Sequence, residues 1–254
     1  MRLAGQHALV TGANRGIGAA AVRALAAEGA NITLMVRDRE GAAAVAATLP
    51  TRTHIAVVQD IADRDQVLTG IAGAVAALGP VDILVNNAGS VETVPFLKTT
   101  PALFAQMFNV HVMGAVHTAQ AVIPGMLTKG RGRIVNVASV AGLVGAAYVT
   151  HYVSVKHALV GLTRALAVEF QPKGITVNAV CPAYVDTELV SGSMKRIAEK
   201  TGRSEAEALQ MILADAKQPR LVTVDEVAAA IRDYCLPDAA ARTGETKVLM
   251  GLDT

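Results

Sequence analysis

Cysteine is scarce in this chain, with only Cys181 and Cys235 in 254 residues. Two cysteines exclude a disulfide framework and fit a reducing compartment, so a cytoplasmic location is expected. Charge is scarce too. Asp, Glu, Lys and Arg make up 17% of the chain, below the usual ~25%. The formal net charge is +2 and no basic block occurs, which argues against a nucleic-acid partner. The N-terminus, Met1-Arg2-Leu3-Ala4-Gly5-Gln6, has no signal-peptide pattern with a cleavage site. The stretch Ile134 to Val155 lacks charge, but it contains Asn136, Ser139, Gly142, Gly145, Thr150, His151, Tyr152 and Ser154. It therefore reads as strand, polar loop and helix start, and no membrane span is expected.

Other chemistries are missing as well. There is no G-x-S-x-G elbow, which disfavours a hydrolase. His111 and His117, like His151 and His157, lie six positions apart, off a common helix face, and no Cys or carboxylate completes a metal site. No internal repeat, low-complexity tract or Pro/Ser-rich linker divides the chain. One domain over residues 1–254 is therefore preferred, and its length suffices for a full core.

What is present is hydrophobic residue in quantity, 52% of the chain, much of it Ala on helical patterns. Nearly all-apolar runs alternate with helical ones from end to end. The strand candidates are His7–Thr11, Asn31–Val36, Thr53–Val58, Val81–Asn86, Arg133–Ala138, Ile175–Cys181 and Thr246–Met250. Such runs suit strands buried on both faces of a parallel sheet. Helix candidates are Gly16–Glu28, Glu40–Leu49, Asp63–Leu78, Pro101–Leu127, Tyr152–Phe170 and Val224–Tyr234. Thr100-Pro101 places an N-cap before proline, and Thr223-Val224-Asp225-Glu226 reads as a capping box. The alternation predicts an α/β, doubly wound, Rossmann-type parallel sheet of about seven strands with helices on both faces. Asp186 to Arg220 breaks the rhythm. It is long and polar with an apolar subset, which predicts a substrate lid at 186–220.

Two places carry chemistry. Thr11-Gly12-Ala13-Asn14-Arg15-Gly16-Ile17-Gly18 joins the first strand to the first helix with G-x-x-x-G-x-G spacing. Glycines there permit a tight turn and let a pyrophosphate approach backbone at a helix N-terminus. The second strand ends in Val36-Arg37, where an acid would accept the ribose hydroxyl of NAD; Arg37, with Arg15 opposite, suits the 2′-phosphate of NADP instead. NADP(H) is thus expected, with NAD(H) as the alternative. The second place is Tyr152 and Lys156, four positions apart on one helix face. A fixed cation beside a phenol lowers its pKa towards neutrality, which makes a proton-transfer group.

In order along nearly the whole chain stand Thr11–Gly18, Asp60-Ile61, Asn86-Asn87-Ala88-Gly89, Asn109, Ser139, Tyr152-x-x-x-Lys156 and Pro182-Ala183-Tyr184-Val185-Asp186-Thr187. This series resembles the short-chain dehydrogenase/reductase family. The resemblance implies a catalytic set of Asn109, Ser139, Tyr152 and Lys156. Ser139 would hold the substrate oxygen, Tyr152 would exchange a proton with it, and Lys156 would bond the nicotinamide ribose and depress the Tyr152 pKa. Asn109 would hold a water that links Lys156 to solvent. A cofactor site is implied at Gly12, Asn14, Arg15, Gly16, Ile17, Gly18, Arg37, Asp60, Ile61, Asn87, Ala88, Gly89, Tyr152, Lys156, Pro182, Ala183, Val185 and Thr187. Asp60 would accept from the adenine amino group, and Pro182 to Thr187 would flank the nicotinamide.

The family also implies a small-molecule carbonyl or alcohol substrate and a homo-oligomer, tetramer or dimer. Ala183 replaces the family's usual glycine, and Met250-Gly251-Leu252 replaces its Asp-Gly-Gly. Around the active site the chain looks most like 3-ketoacyl, 3-hydroxybutyrate and polyketide ketoreductases. The expected activity is NADP-dependent reduction of a ketone or 3-oxoacyl thioester. The alternatives are an NAD-dependent alcohol or 3-hydroxyacid dehydrogenase, and a non-catalytic dinucleotide-binding regulator.

Overall fold

The computed structural model describes residues 1–49 and 54–252. Seven strands, β1 His7–Thr11, β2 Asn31–Val36, β3 His54–Val58, β4 Ile83–Asn86, β5 Gly132–Val137, β6 Ile175–Pro182 and β7 Thr246–Leu249, form one sheet in the order β3-β2-β1-β4-β5-β6-β7. Every pairing is parallel. The inner strands β1, β2, β4, β5 and β6 are buried on both faces, which is why they are largely apolar, whereas the edge strands β3 and β7 are only partly buried. In β1, Ala8 and Val10 enter one core while Leu9 enters the other; in β4, Ile83 and Val85 oppose Leu84. The period of two along a strand produces this division.

Helices α1 Gly16–Ala27 and α9 Val224–Cys235 contribute to the first core; α3 Arg64–Leu78 and α5 Gly114–Lys129 contribute to the second, together with the C-terminal part of α6 Thr150–Phe170. Helix α2 Arg39–Ala46 follows β2. Thr100 accepts from Leu103 N–H to start α4 Pro101–Phe108, and Thr223 with Glu226 closes the expected capping box on α9. Among the described residues no helix is long and apolar enough to cross a membrane.

Several element ends shift by one to three residues, β4 starting at Ile83 and not Val81 and β5 ending at Val137 and not Ala138, and three expectations change further. Thr53, placed in the third strand, lies outside the described residues. Met250 falls outside β7, whose pairing with β6 ends at Pro182 opposite Leu249. The helix expected from Pro101 to Leu127 is interrupted by a π turn over Asn109–Met113 and runs on to Lys129, where Gly130 caps it in the left-handed region at φ 63°. A π turn inserts one residue into the helical repeat. Every later side chain therefore turns by about 100° relative to an unbroken α-helix.

A buried polar chain ties the site-bearing helices to the sheet. Thr118 Oγ1 donates to Asn86 Oδ1 at 2.7 Å, Asn86 Nδ2 to Asn136 Oδ1 at 2.9 Å, and Asn136 Nδ2 to Thr163 Oγ1 at 2.8 Å. It runs from α5 across β4 and β5 to α6. Each member has a partner, so burial costs little and the helices' positions are set.

The 186–220 segment contains two helices, α7 Glu188–Thr201 and α8 Glu205–Asp215. Its C-terminal end is anchored. Gln218, 4% exposed, accepts from Tyr184 N–H at 2.9 Å and donates to Tyr184 O and Arg220 O. A parallel bridge pairs Val185 with Val222. Ile212 and Leu213 are buried, while Met211 is 42% exposed.

Candidate active site

The strand order reverses between β1 and β4, and a crevice opens there at the carboxyl edge of a doubly wound sheet. The loops after both strands are stitched together. Thr11 Oγ1 accepts from Asn87 N–H at 2.9 Å and Ala88 N–H at 3.0 Å, and Asn87 Nδ2 donates to Thr11 O and Gly12 O. Gly12 sits at φ 64°, and a β-carbon on it would lie 3.0 Å from Ala88 Cα. Both its conformation and its contact require glycine.

These residues fit a dinucleotide. The N-terminus of α1 has no side-chain cap and no acidic residue in its first turn, so its N–H groups face the crevice ready for an anion. Across that crevice, Thr187 Cγ2 lies 3.6 Å from where a β-carbon of Gly16 would stand. The glycine loop and the Pro182–Thr187 segment thus face each other. Asp60, just beyond β3, accepts from Ala62 N–H at 2.9 Å. Ile61 is buried. Arg37 is exposed at the end of β2, and Val36 beside it is buried. Arg15 departs from expectation. Its guanidinium pairs at 3.0 Å with Glu188, the first residue of α7, and both are largely exposed. Exposed pairs of this kind contribute about 0–1 kcal/mol, so this one holds Arg15 only loosely. Asn14 Nδ2 donates to Asp38 at 3.4 Å, and the Asp38 carboxylate caps α2 through Glu40 and Gly41 N–H.

Further along the same edge the structure brings Ser139, Tyr152 and Lys156 together. Ser139 ends the β5 run and caps a short turn, accepting from Ala141 N–H at 3.1 Å. Tyr152 is half-buried and hydrogen-bonds Ser139. Lys156 Nζ donates to Val137 O at 2.8 Å and lies 5.5 Å from the Tyr152 ring centre. The loop bearing Ser139 rests on α6, where a β-carbon on Gly142 would stand 2.7 Å from Lys156 O.

The electrostatics reverse one expectation. The Tyr152 phenol is pushed up to about 12 by burial, against which the Ser139 hydrogen bond pulls it down. The expected depression by Lys156 does not appear. Burial acts on Lys156 as well, lowering it to about 8, so desolvation dominates both groups.

Asn109 is not brought to this cluster. It opens the π turn and is exposed. Two residues on, His111 is buried with its ring 5.7 Å from that of Tyr152, edge to face. Tyr148 is another residue that motif reading missed. It stands 61% exposed at φ 65°, and its carbonyl accepts from Val94 N–H at 2.8 Å, joining the loops after β4 and β5. A left-handed aromatic residue carries no signature in sequence. Among the described residues no group of three or more His, Cys, Asp or Glu is placed to hold a metal ion.

The short chain dehydrogenase family model matches residues 6–198. A protein of Streptomyces violaceoruber named as a ketoacyl reductase of the granaticin polyketide synthase is 38% identical, covering 96% of this chain and 91% of its own. The acetoacetyl-CoA reductase of Shinella zoogloeoides is 35% identical, covering 94% of each. The D-beta-hydroxybutyrate dehydrogenase of Cupriavidus necator is 36% identical, covering 89% of each. The crystal structure of levodione reductase superposes with a TM-score of 0.91 at 31% identity, over 98% of both chains. With its sheet order, its glycine crevice and its Ser–Tyr–Lys cluster, the chain belongs to the short-chain dehydrogenase family, as an NAD(P)-dependent oxidoreductase.

Proposed function

We propose that this enzyme reduces a ketone, or the 3-oxo group of an acyl thioester, to the secondary alcohol with NADPH. The observation that carries this reading is the grouping of Ser139, Tyr152 and Lys156 at one edge of the sheet, around a phenol that burial pushes up to about 12. Such a phenol is protonated throughout the neutral range, and that is the form that donates. The cofactor, when bound, supplies the hydride. Tyr152 gives its proton to the substrate oxygen as charge builds there, and Ser139 orients that oxygen. Lys156, charged below about 8, stabilises the phenolate that remains. Gly12, Asn14, Gly16, Ile17 and Gly18 would hold the pyrophosphate side of the cofactor, Asp60 and Ile61 the adenine, and Asn87, Ala88, Gly89, Pro182, Ala183, Val185 and Thr187 the nicotinamide side.

Substrate class is supported by the names of two of the relatives, a ketoacyl reductase and an acetoacetyl-CoA reductase, and by the residues whose positions would line the substrate. Val91, Val94, Val140, Leu143, Val144, Ala146, Ala147 and Val149 are mostly small and apolar. No basic residue stands beside Ser139 in sequence to pair with a free carboxylate, which favours a neutral ketone or thioester over a 3-hydroxyacid. Following NADPH and NADH consumption over a panel of ketones, 3-oxoacyl thioesters and 3-oxoacids tests the reading. Turnover confined to free oxoacids would overturn it.

NADPH preference rests on Arg37. It is exposed and makes no ion pair among the described residues, Val36 offers no acceptor, and Asp38 is engaged as a helix cap. Arg37→Ala is expected to weaken NADPH by about 1.5–3 kcal/mol, the worth of a charge-assisted contact, and to leave NADH nearly unchanged. Isothermal titration with both nucleotides checks this; equal weakening of the two removes Arg37 from the role.

The 186–220 segment is proposed as a lid hinged at its anchored ends. Its helices α7 and α8 present Met194, Ile197, Leu209 and Met211, which are partly or largely exposed, while the loose Arg15–Glu188 pair bridges α7 to the cofactor loop. Amide exchange in α7 and α8 is expected to slow when cofactor and substrate bind. Strong protection already present in the free enzyme, and unchanged by ligands, would make the segment a fixed element.

A further inference from the structure

His111 is 4% exposed and is held in a built site. Its Nε2 lies 2.8 Å from Ser90 O, and Ser90 N–H reaches the same nitrogen at 3.2 Å. One ring nitrogen cannot donate and accept at once. The shorter contact claims the proton, so the neutral ring carries N–H at Nε2. Nδ1 is then a lone pair, buried and without a partner among the described residues. Gly89 makes room for this ring, since a β-carbon there would stand 2.3 Å from His111 Cε1. Burial first, then the charge of Lys156, lower the imidazole to about 3, so it stays neutral at working pH. The titratable groups around it are Tyr152, Lys156 and His151 of α6, with Cys181 of β6 beyond the Tyr–Lys pair. The loop after β4 offers it the backbone of Ser90 and the bare α-carbon of Gly89.

Lys156 carries three N–H donors, and Val137 O takes one. We propose that His111 is a positioning residue for the Tyr152–Lys156 pair: Ser90 locks its neutral ring against the phenol, and its Nδ1 lone pair accepts an ammonium N–H of Lys156 through one water. This assigns to His111 the link to Lys156 that the family resemblance led us to expect of Asn109. It rests on the reading of Tyr152 as proton donor. An acceptor for an ammonium proton favours the charged form. Loss of Nδ1 should therefore drop the Lys156 pKa and move the alkaline limb of kcat to lower pH.

His111→Phe keeps an aromatic ring against Tyr152 and removes both nitrogens. We expect kcat to fall at least about tenfold, with the alkaline limb lower by about one pH unit and cofactor Kd within about twofold of wild type. His111→Asn, which restores a neutral donor and acceptor, should recover most of the rate and the limb. A second readout needs no turnover. In the free enzyme with 15N-labelled histidine, His111 should show the Nε2–H tautomer between about pH 5 and 9. Its Nδ1 signal should step as Lys156 titrates near 8, and the step should vanish in Lys156→Met. An Nδ1–H tautomer, an unmoved Nδ1 signal, or a His111→Phe enzyme with the wild-type limb overturns the assignment. If His111→Phe does not fold, the nuclear resonance result on the intact chain decides alone. Turnover surviving in Tyr152→Phe would sink the reading of the site instead, and leaves the tautomer test standing.

Discussion

Replacing Tyr152 with Phe is expected to abolish turnover, by about 10²–10⁴-fold, the usual contribution of a positioned proton donor. The substitution removes one oxygen and little else. The ring still packs edge-on against His111, and α6 keeps its buried face of His151, Val155, Leu159, Val160 and Thr163. The lost group is half-buried and shares its hydrogen bond with Ser139, so the cost to the fold is small. Its effect lies in the transition state, where the substrate oxygen gains charge and the phenol is the group placed to neutralise it. Cofactor affinity should stay near wild type, because the glycine crevice and the Asn87–Gly89 loop do not depend on the phenol. Steady-state kinetics with nucleotide titration separates the two effects. A variant that keeps more than about a tenth of wild-type kcat would take Tyr152 out of the proton-transfer role.

Much of the fold was legible because the sheet is parallel and covered on both faces. Double burial writes each inner strand as a largely apolar run, and β1 and β2 have the boundaries that those runs imply. Capping chemistry is equally local, and Thr100 and Thr223 act as their neighbours predict. The Ser139, Tyr152 and Lys156 grouping was legible for another reason: α6 fixes Tyr152 and Lys156 on one face, and Ser139 lies just past a strand end at the same edge of the sheet.

The rest depended on information that spacing does not hold. The π turn at Asn109–Met113 leaves no mark on apolar periodicity, yet it decides that His111 and not Asn109 faces Tyr152. The one clue was Gly89, whose missing side chain makes room for an imidazole, and it is read only once the two loops are seen together. Charge–charge reasoning from the Tyr152–Lys156 spacing predicted a depressed phenol. It omitted desolvation, which acts on both groups and here prevails. The Arg15–Glu188 pair joins residues 173 positions apart, beyond the reach of any local pattern.

Replacing Lys156 with Met should cost activity and add stability. The ammonium is 5% exposed, and burial lowers its pKa from 10.5 to about 8. That difference corresponds to about 3 kcal/mol, spent by the folded state on keeping the charge. The sign follows from proton counts. Below about 8 both states hold the proton and the penalty is complete. Between about 8 and 10.5 the unfolded chain binds more proton than the native one, so the wild-type protein gains stability as pH rises through this window. Above it the penalty is gone. Met fills similar volume without charge and removes the penalty at pH 7, but it strands Val137 O, which Lys156 now satisfies at 2.8 Å. An orphaned carbonyl costs about 1–3 kcal/mol. The net gain at pH 7 is then about 0–2 kcal/mol, or up to roughly 8 °C in Tm for a chain of this size. Turnover should drop by about 10² or more, since the phenolate left by proton donation loses its neighbouring cation. Melting curves of both proteins from about pH 6 to 10.5 provide the test. The Lys156→Met advantage should shrink steadily above pH 8 and vanish or invert by 10.5. A variant that melts lower than wild type at pH 7, or whose advantage grows with pH, would show that the buried ammonium is stabilised by its surroundings and is not a strained catalytic charge.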